Sequence, residues 1–332
     1  TSTIITMMSH HWLLAWLGLE LNTLSILPII MKPKHPRATE AATKYFIIQA
    51  TAAAMILFAS TMNVWQTGQW LITYPNSPTA TTITTLALML KLGLAPTHFW
   101  FPEVLQGVTM NTAMIISTWQ KIAPLTLLYL MTSQLPTNMT LLIGLMSALL
   151  GGWMGLNQTQ TRKILAFSSI SHMGWLIIAL TMSPNLTTLT FLTYTLMTIT
   201  MFTSLNTTTS KTLTDLGTNW THSPMLMAST MIALMSLGGL PPLTGFMPKW
   251  LILKELTLTK LIPLSITMAL ASLPSLFFYI RMAYLTTLTI PPHTTTTEHK
   301  WRFKNAPPKS IMPMITLTTL LLPITPMLYN TL

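Results

Sequence analysis

The sequence predicts an all-α protein: a polytopic membrane helix bundle with two inverted five-helix repeats and two broken helices. Three observations predict this fold: the scarcity of charge, the long apolar stretches and two helix-breaking motifs. Of the 332 residues, only 7% are charged and 50% are hydrophobic, whereas about 25% of an ordinary soluble domain is charged. The chain therefore has too few polar side chains to coat a soluble globule. This composition also excludes a disordered tail and a nucleic-acid binder.

The few charged residues are mostly cationic, with 17 Lys and Arg against 6 Asp and Glu and a net charge of +11. Such an excess on a hydrophobic chain is typical of a membrane protein with cationic loops. Cysteine is absent. The chain therefore has no disulfide framework, no thiolate nucleophile and no ligands for an iron–sulfur cluster.

Ten apolar stretches predict ten membrane-spanning helices, because crossing the ~30 Å hydrocarbon layer takes about 20 residues. The stretches are, roughly, 11–31, 45–66, 79–106, 109–131, 139–157, 164–182, 186–206, 224–243, 262–286 and 311–330. Threonine is abundant within them, but its hydroxyl can bond a carbonyl one turn back. Membrane-spanning strands would need alternating polarity, and runs such as LLIGLMSALLGGWMG do not alternate.

The ten helices are expected to form one membrane domain over 1–332, with pseudo-repeats at roughly 11–131 and 139–286 and a C-terminal helix at 311–330. Residues 1–8 are apolar but too short to span a membrane. We expect them to be the end of a further helix that is truncated in this chain. They lack the basic leader and small-residue cleavage site of a signal peptide.

The loop charges predict the orientation of the helices. When the ten spans alternate, one side carries eleven Lys and Arg: Lys32, Lys34, Arg37, Lys44, Arg162, Lys163, Lys211, Lys300, Arg302, Lys304 and Lys309. The other side carries at most Lys249, Lys254 and Lys260. Because cationic loops stay on the side of synthesis, the first side should face the compartment where the chain is made.

Two charges fall near the middle of predicted spans, Glu20 in 11–31 and Lys121 in 109–131. A charge there costs about 2.5–3.5 kcal/mol on insertion scales. A buried Lys loses its proton more easily, and a buried Glu gains one more easily, than in water. Both can therefore exchange protons near neutral pH in a hydrated interior. The alternative is a buried Glu–Lys pair that only holds helices together.

Two motifs predict helices that break within the membrane. Lys91 comes just before Gly93-Leu94-Ala95-Pro96, and Gly238-Gly239-Leu240-Pro241-Pro242 is followed by Lys249. Proline cannot donate to the helical hydrogen-bond ladder, and its ring clashes with the preceding turn. Broken helices at membrane depth are tolerated only within protein or beside water, and they mark ion pathways in transporters.

The two breaks fall in the third and eighth spans, five apart, so a five-helix repeat would be inverted in the membrane. In that register the span of Glu20 corresponds to 164–182, whose one ionisable residue is His172. His172 is therefore a candidate proton relay, although a lone histidine can equally be a hydrogen-bonded core residue. The repeat is imperfect, because 262–286, the counterpart of the Lys121 span, has no central lysine.

Sequence strings along nearly the whole chain match one known family. They are His11-Trp12 with Trp16 through Glu20, Pro36 through Ala41 with Lys44 through Phe46, Lys91 through Pro96, His98 through Glu103, Trp119 through Lys121, Gly155 through Gln160, Arg162 through Ala166, Ser168 through Ile170 with His172 through Trp175, and Gly238 through Pro242 with Lys249-Trp250. Through them the chain resembles the chain 2 family of mitochondrial NADH–ubiquinone oxidoreductase, respiratory complex I.

This resemblance implies an antiporter-like core subunit of the membrane arm in the mitochondrial inner membrane, with its basic loops on the matrix side. Family members of vertebrates usually have eleven helices, and this chain lacks most of the first. The resemblance also implies the proton-transfer residues: a Glu–Lys pair (Glu20 and Lys91), a central Lys121, an exit-side Lys249, and His172 on the path between them. None of these is a metal or cofactor ligand.

The partners implied by the resemblance are the other membrane-arm subunits and the lipid bilayer, with no nucleic acid. NADH, FMN, iron–sulfur clusters and ubiquinone would be used by other subunits, and this chain would bind no cofactor and hold no redox centre. Its own sequence contains no G-x-G-x-x-G, P-loop or H-E-x-x-H motif. We therefore expect electron transfer elsewhere to be coupled to proton translocation here. The alternatives are a free-standing cation/proton antiporter and a structural scaffold.

Overall fold

The computed structural model describes residues 1–73, 77–221, 223–288 and 311–331. Within them the chain folds into α-helices and short 3₁₀ turns, with no strands, which confirms the all-α prediction. The helices are α1 Ser2–Met7, α2 Trp12–Met31, α3 Pro36–Thr67, α4 Pro78–Leu92, α5 Trp100–Gly107, α6 Met110–Ser117, α7 Ile122–Leu130, α8 Thr137–Gly155, α9 Thr161–Met182, α10 Pro184–Thr207, α11 Leu213–Thr218, α12 Pro224–Gly238, α13 Phe246–Leu258, α14 Ile262–Thr287, α15 Ile311–Leu320 and α16 Thr325–Thr331.

Six of the described helices are long and apolar enough to cross a membrane: α2, α3, α8, α9, α10 and α14. The pair α15 and α16, bent by 59°, would make a seventh. The other predicted spans are interrupted, which leaves pieces too short to cross alone. Lys300, Arg302, Lys304 and Lys309, which contributed to the predicted loop charge, lie outside the described residues.

Both helix breaks occur where the sequence predicts them, and both have the same backbone. Gly93 ends α4 with φ +74°, and Gly239 ends α12 with φ +82°. In each case the glycine N–H bonds the carbonyl three residues back, and the next N–H bonds the carbonyl five residues back. Glycine adopts this left-handed conformation without the steric penalty of a Cβ. Helix resumes at Trp100 after the first break and at Phe246 after the second.

The sequence prediction missed two features of the helices. The span 109–131 is not continuous, because a 3₁₀ turn at Trp119–Lys121 separates α6 from α7. Pro124 explains this turn, since it has no N–H to give to the Gln120 carbonyl in a continuous helix. The second missed feature is α13, which lies entirely beyond the predicted limit of the 224–243 span.

The chain divides into two compact units, one of residues 1–147 and 173–184 and the other of residues 148–172 and 185–332. The boundaries pass through α8 and α9. In the first unit, α3 packs against both α2 and α4, and also against α5. In the second, α14 packs against α11, α12 and α13.

Small residues bring helix backbones close together within each unit. In the second unit, a Cβ added at Gly151 would lie 2.7 Å from the Ser171 nitrogen, and one at Gly155 would lie 2.9 Å from the Phe278 ring. In the first, a Cβ at Gly107 would lie 2.7 Å from the Ala41 Cβ. Membrane helices pack by such close approach because burial in lipid offers no hydrophobic gain between them.

Candidate functional site

A buried cavity in the first unit brings together two of the lysines that the sequence singled out. Its lining includes the polar residues Asn22, Thr23, Tyr45, Gln49, Lys91, Gln120 and Lys121. The space in it that a water molecule's centre can occupy is about 20 Å³, and about 10–15 Å³ suffices for one water. Two lysines and several neutral polar side chains thus surround a volume that can be hydrated.

Lys91 lies in the last turn of α4 and is only 6% exposed. Its backbone carbonyl accepts a long hydrogen bond of 3.4 Å from the Gln49 amide of α3. The last carbonyls of a helix have no hydrogen-bond donor within the helix. Gln49 therefore supplies a donor to one carbonyl that the helix break leaves without one. The Lys91 ammonium makes no hydrogen bond to any described residue. Its charge is therefore held beside the cavity without a direct protein acceptor.

Glu20 lies on α2 and interacts electrostatically with the Lys91 ammonium. The two do not form a direct ion pair, because the carboxylate–lysine pairs in the described residues are those of Lys44. Glu20 Oε2 is buried and has no hydrogen-bond partner there. Glu20 and Lys91 therefore interact at a distance and not as a direct ion pair. Their helices, α2 and α4, both pack against α3.

Lys121 lies in the 3₁₀ turn between α6 and α7 and is 3% exposed. Its Nζ is 5.0 Å from the centroid of the Phe101 ring. Phe101 stands in the first turn of α5, directly after the first helix break. The face of an aromatic ring attracts a cation, more strongly when both are desolvated. The break therefore supplies Lys91 on one side and a binding surface for Lys121 on the other.

In the second unit, His172 of α9 is in contact with two tyrosines. The Tyr279 hydroxyl lies 3.3 Å from His172 Nε2, and either atom can donate the proton of that hydrogen bond. The Tyr194 ring centroid is 5.7 Å from that of the His172 ring. His172 is therefore one member of a hydrogen-bonded group, and the sequence had indicated only the histidine.

Lys249 lies in the first turn of α13 and reaches back to the second helix break. Its Nζ donates a 3.0 Å hydrogen bond to the carbonyl of Gly238, the last residue of α12. A Cβ at Gly239 would lie 3.0 Å from the same Nζ. The absence of a side chain at Gly239 thus makes room for the lysine.

The acidic residue of the aromatic stretch after the first break is part of a surface network. Lys44 Nζ is 2.6 Å from Glu40 and 2.7 Å from Glu103, and all three side chains are exposed. His98 is 1% exposed, and its Nδ1 lies 3.2 Å from the Pro96 carbonyl oxygen. Neither Glu103 nor His98 lines the cavity.

The sequence analysis gave no role to four residues that contact the predicted site, namely Gln49, Phe101, Tyr194 and Tyr279. Phe101 lies in the matching string His98 through Glu103, but no local signal assigned it or the other three to the site. Only the packing of α3, α5, α10 and α14 brings them into contact with the Lys91 carbonyl, the Lys121 ammonium and His172. In the described part of the chain, no group of three or more His, Asp or Glu could hold a metal ion.

The chain matches family models over almost all of its length. Residues 9–275 match the model described as NADH:quinone oxidoreductase/Mrp antiporter, TM. Residues 276–329 match the model described as NADH dehydrogenase subunit 2 C-terminus. It is 52% identical to NADH-ubiquinone oxidoreductase chain 2 of Struthio camelus over 326 residues, 98% of this chain and 94% of that one. It is 53% identical to the protein of the same name from Anas acuta over 327 residues, with the same coverage.

Solved structures share the fold at lower identity. One chain of respiratory complex I from Thermus thermophilus superposes with a TM-score of 0.87 at 24% identity, covering 99% of this chain and 77% of that chain. One chain of the Mrp complex from Dietzia sp. DQ12-45-1b superposes with a TM-score of 0.83 at 14% identity, with coverage of 99% and 74%. The chain therefore belongs to the NADH-ubiquinone oxidoreductase chain 2 family of multi-pass membrane proteins.

Proposed function

We propose that this chain is a proton-translocating, antiporter-like subunit in the membrane arm of respiratory complex I. In this proposal, electron transfer from NADH to ubiquinone takes place in other subunits, which hold FMN and the iron–sulfur clusters. One observation carries the proposal: Lys91 and Lys121, both nearly fully buried, line one cavity with room for water. A lysine is expensive to bury, and intramembrane ionisable groups are typical of proton pathways.

The electrostatics of the first unit suggest how a proton would move. Two ammonium charges beside one small cavity would repel each other strongly where the dielectric constant is low, so in this proposal the two lysines share one proton. Glu20 stabilises the charge when the proton is on Lys91, whereas the Phe101 ring stabilises it when the proton is on Lys121. When the effect of Glu20 weakens, Lys91 releases its proton to water in the cavity, and the neutral amine of Lys121 accepts it. A change of charge near Glu20 is sufficient to shift this balance.

His172 and Lys249 would carry the pathway through the second unit, with Lys249 on the side of the exit or the neighbouring subunit. The two inverted five-helix repeats are part of the same proposal. The support for them is the matching glycine-capped breaks at Gly93 and Gly239, each with a buried or half-buried lysine beside it. Tyr279 on α14 would occupy the span in which the repeat lacks a lysine.

The proposed location is the mitochondrial inner membrane, with the basic residues Lys32, Lys34, Arg162 and Lys163 on the matrix side. The matrix is the side on which a mitochondrially made chain is synthesised, so the excess of Lys and Arg predicts this orientation. The proposed partners are the other membrane-arm subunits and the lipid of the bilayer. NADH, FMN, the iron–sulfur clusters and ubiquinone would be bound by other subunits.

The test is the variant Lys121→Met, assembled into the complex and reconstituted in vesicles. Proton pumping and NADH–ubiquinone reductase activity are measured together. We expect pumping to be lost or strongly reduced in the fully assembled complex, because the buried proton acceptor is gone. An unchanged rate and an unchanged proton-to-electron ratio would remove Lys121 from the pathway.

Two further measurements separate the alternatives. Blue-native electrophoresis distinguishes a subunit, which migrates with a very large complex, from a free-standing antiporter. The paired variant Glu20→Gln with Lys91→Met tests the scaffold alternative, because it removes both charges at once. A scaffold predicts normal pumping in this variant, whereas the proposed function predicts its loss.

A further inference from the structure

Tyr279 lies beside both functional elements of the second unit. Its side chain is fully buried on α14, and its hydroxyl lies 3.3 Å from His172 Nε2. Ser168, one turn before His172 on α9, lies close to the same phenol, and its own hydroxyl donates to the Leu165 carbonyl. Buried hydroxyl groups need partners, because an unpaired one is costly to desolvate. The Tyr279 hydroxyl is thus bonded to His172 and has the Ser168 oxygen nearby as a second acceptor.

The side chain of Tyr279 faces the second helix break. Helix α14 packs against α12, and an atom added at the Cβ position of Gly238 would be 3.9 Å from Cβ and Cδ2 of Tyr279. Gly238 is the residue whose carbonyl accepts the 3.0 Å hydrogen bond from Lys249. One rigid side chain therefore bonds His172 at its hydroxyl end and lies next to the Lys249-binding residue at its other end.

The direction of the hydrogen bond between the Tyr279 hydroxyl and the His172 imidazole depends on which nitrogen of His172 carries a proton. A phenol has one proton to donate and can also accept, and a neutral imidazole has one donor and one acceptor nitrogen. When Nε2 of His172 is unprotonated, Tyr279 donates to it. When Nε2 carries a proton, Tyr279 must accept, and its own hydrogen turns to another acceptor such as Ser168. The hydroxyl reverses direction without gaining or losing a proton.

We propose that Tyr279 is a positioning residue that couples the hydrogen bonding of His172 to the helix break that holds Lys249. This inference rests on the proposed proton-translocating function and assigns α14 a role in it. The span that contains α14 has no lysine at its centre, and the tyrosine supplies a polar group there that carries no charge. A reversal of the hydroxyl bond changes the forces on the ring, and the ring lies next to the residue whose carbonyl holds Lys249.

The chain offers a matched control on the same helix. Tyr284 is also on α14 but is 61% exposed, so removal of its hydroxyl should leave the interior unchanged. Tyr279→Phe and Tyr284→Phe make the same chemical change and keep both rings. Each variant is assembled into the complex, checked by blue-native electrophoresis and reconstituted in vesicles, with Lys121→Met measured in parallel.

We expect Tyr279→Phe to assemble and to slow coupled turnover about tenfold, the size of effect that loss of one buried hydrogen bond produces. We also expect the pH profile of pumping to change in this variant and not in Tyr284→Phe. The titratable side chains that flank His172 are Tyr194 on α10 and Tyr279 on α14, so the change reports on this group. A residue with only a packing role would not alter the pH profile.

The outcomes separate this inference from the proposed function. If Lys121→Met abolishes pumping while Tyr279→Phe pumps normally with an unchanged pH profile, only the role of Tyr279 is overturned. If Lys121→Met pumps normally, the proposed function itself fails. Equal losses in Tyr279→Phe and Tyr284→Phe also overturn the inference.

A second variant decides the case in which Tyr279→Phe does not assemble. Ser168→Ala removes the second acceptor near the phenol and keeps the tyrosine ring in place. A reduced rate of coupled turnover with a changed pH profile in Ser168→Ala supports the inference. Normal turnover and a normal profile in that variant overturn it.

Discussion

The two helix breaks share a backbone but use their lysines differently. At each break a glycine with positive φ ends the helix with the same pair of capping hydrogen bonds. At the first break, the neutral amide of Gln49 pairs the carbonyl of Lys91. At the second, the Lys249 ammonium pairs the carbonyl of Gly238 itself. A carbonyl at the end of the helix thus accepts a hydrogen bond from a neutral amide at the first break and from the lysine ammonium at the second.

The same backbone motif therefore serves two electrostatic roles in this protein. The Lys91 ammonium has no hydrogen bond to a described residue and is available to the cavity and to Glu20. The Lys249 ammonium must break a 3.0 Å bond before it can move. The first break therefore suits proton exchange, and the second suits a lysine whose release is linked to the backbone. Substitutions that act on one break and spare the other test this distinction.

We expect the greatest loss of thermal stability from alanine at the capping glycines. Alanine at a left-handed position costs about 1–2 kcal/mol from backbone strain alone. Gly68 also has positive φ, +73°, and nothing lies within 4 Å of its Cβ position, so Gly68→Ala measures that strain. Gly239→Ala and Gly93→Ala should each lower the thermal midpoint of the purified complex more than Gly68→Ala does. At Gly239 the new methyl group meets Lys249 atoms at 3.0–3.3 Å, and at Gly93 it meets Phe101 at 3.3 Å.

If Gly68→Ala, Gly93→Ala and Gly239→Ala lowered the midpoint equally, the contacts at the two breaks would contribute nothing beyond backbone strain. A larger drop at Gly239 than at Gly93 would show that the lysine at the second break is the more firmly held of the two.

A smaller change in stability is expected when the lysine at either break, Lys91 or Lys249, is replaced, and the two replacements should differ. Lys249→Met leaves the Gly238 carbonyl without its partner, which costs about 1–3 kcal/mol. Lys91→Met removes a buried charge that has no hydrogen bond but also the charge that Glu20 faces, so it should destabilise the complex less than Lys249→Met does. Thermal unfolding of the two purified variant complexes measures both effects. Equal destabilisation in the two variants would contradict the difference between the breaks.

A smaller effect is expected for the amide at the first break. Gln49→Leu leaves the Lys91 carbonyl unpaired and should destabilise the complex by about 1 kcal/mol. Gln66 is exposed on the same helix, α3, so Gln66→Leu is the matched control and should have little effect. The same thermal assay compares them. Identical midpoints would show that the long 3.4 Å bond of Gln49 contributes no stability.

The smallest effect is expected at the surface network beside the first break. Lys44→Met removes the contacts of Lys44 with Glu40 and Glu103. All three groups are exposed, and solvent and salt screen such pairs. We expect nearly unchanged stability and pumping at physiological ionic strength. A strong loss of pumping in Lys44→Met would place the surface network, rather than the buried groups, in control of the first break.

Much of the fold and part of the site follow from local rules. The composition alone predicts a membrane helix bundle, because 7% charge cannot coat a soluble protein. The glycine and proline motifs predict both breaks, since backbone conformation at Gly93 and Gly239 depends on neighbours in the chain. Lys91 and Lys121 were recognised because a charge in an apolar stretch is visible in the sequence. The proton pathway and the inverted repeats remain predictions.

Contacts across the bundle depended on the tertiary structure. Glu20 and Lys91 interact without forming a direct ion pair, which the sequence did not indicate. Phe101 lies beside Lys121, and Tyr279 lies beside His172, although 20 and 107 positions separate these pairs in the chain. Backbone strain and the cost of burying charge are local properties that a sequence displays. Which side chains meet is decided by helix packing, because close fit between helices selects partners that are remote in the chain.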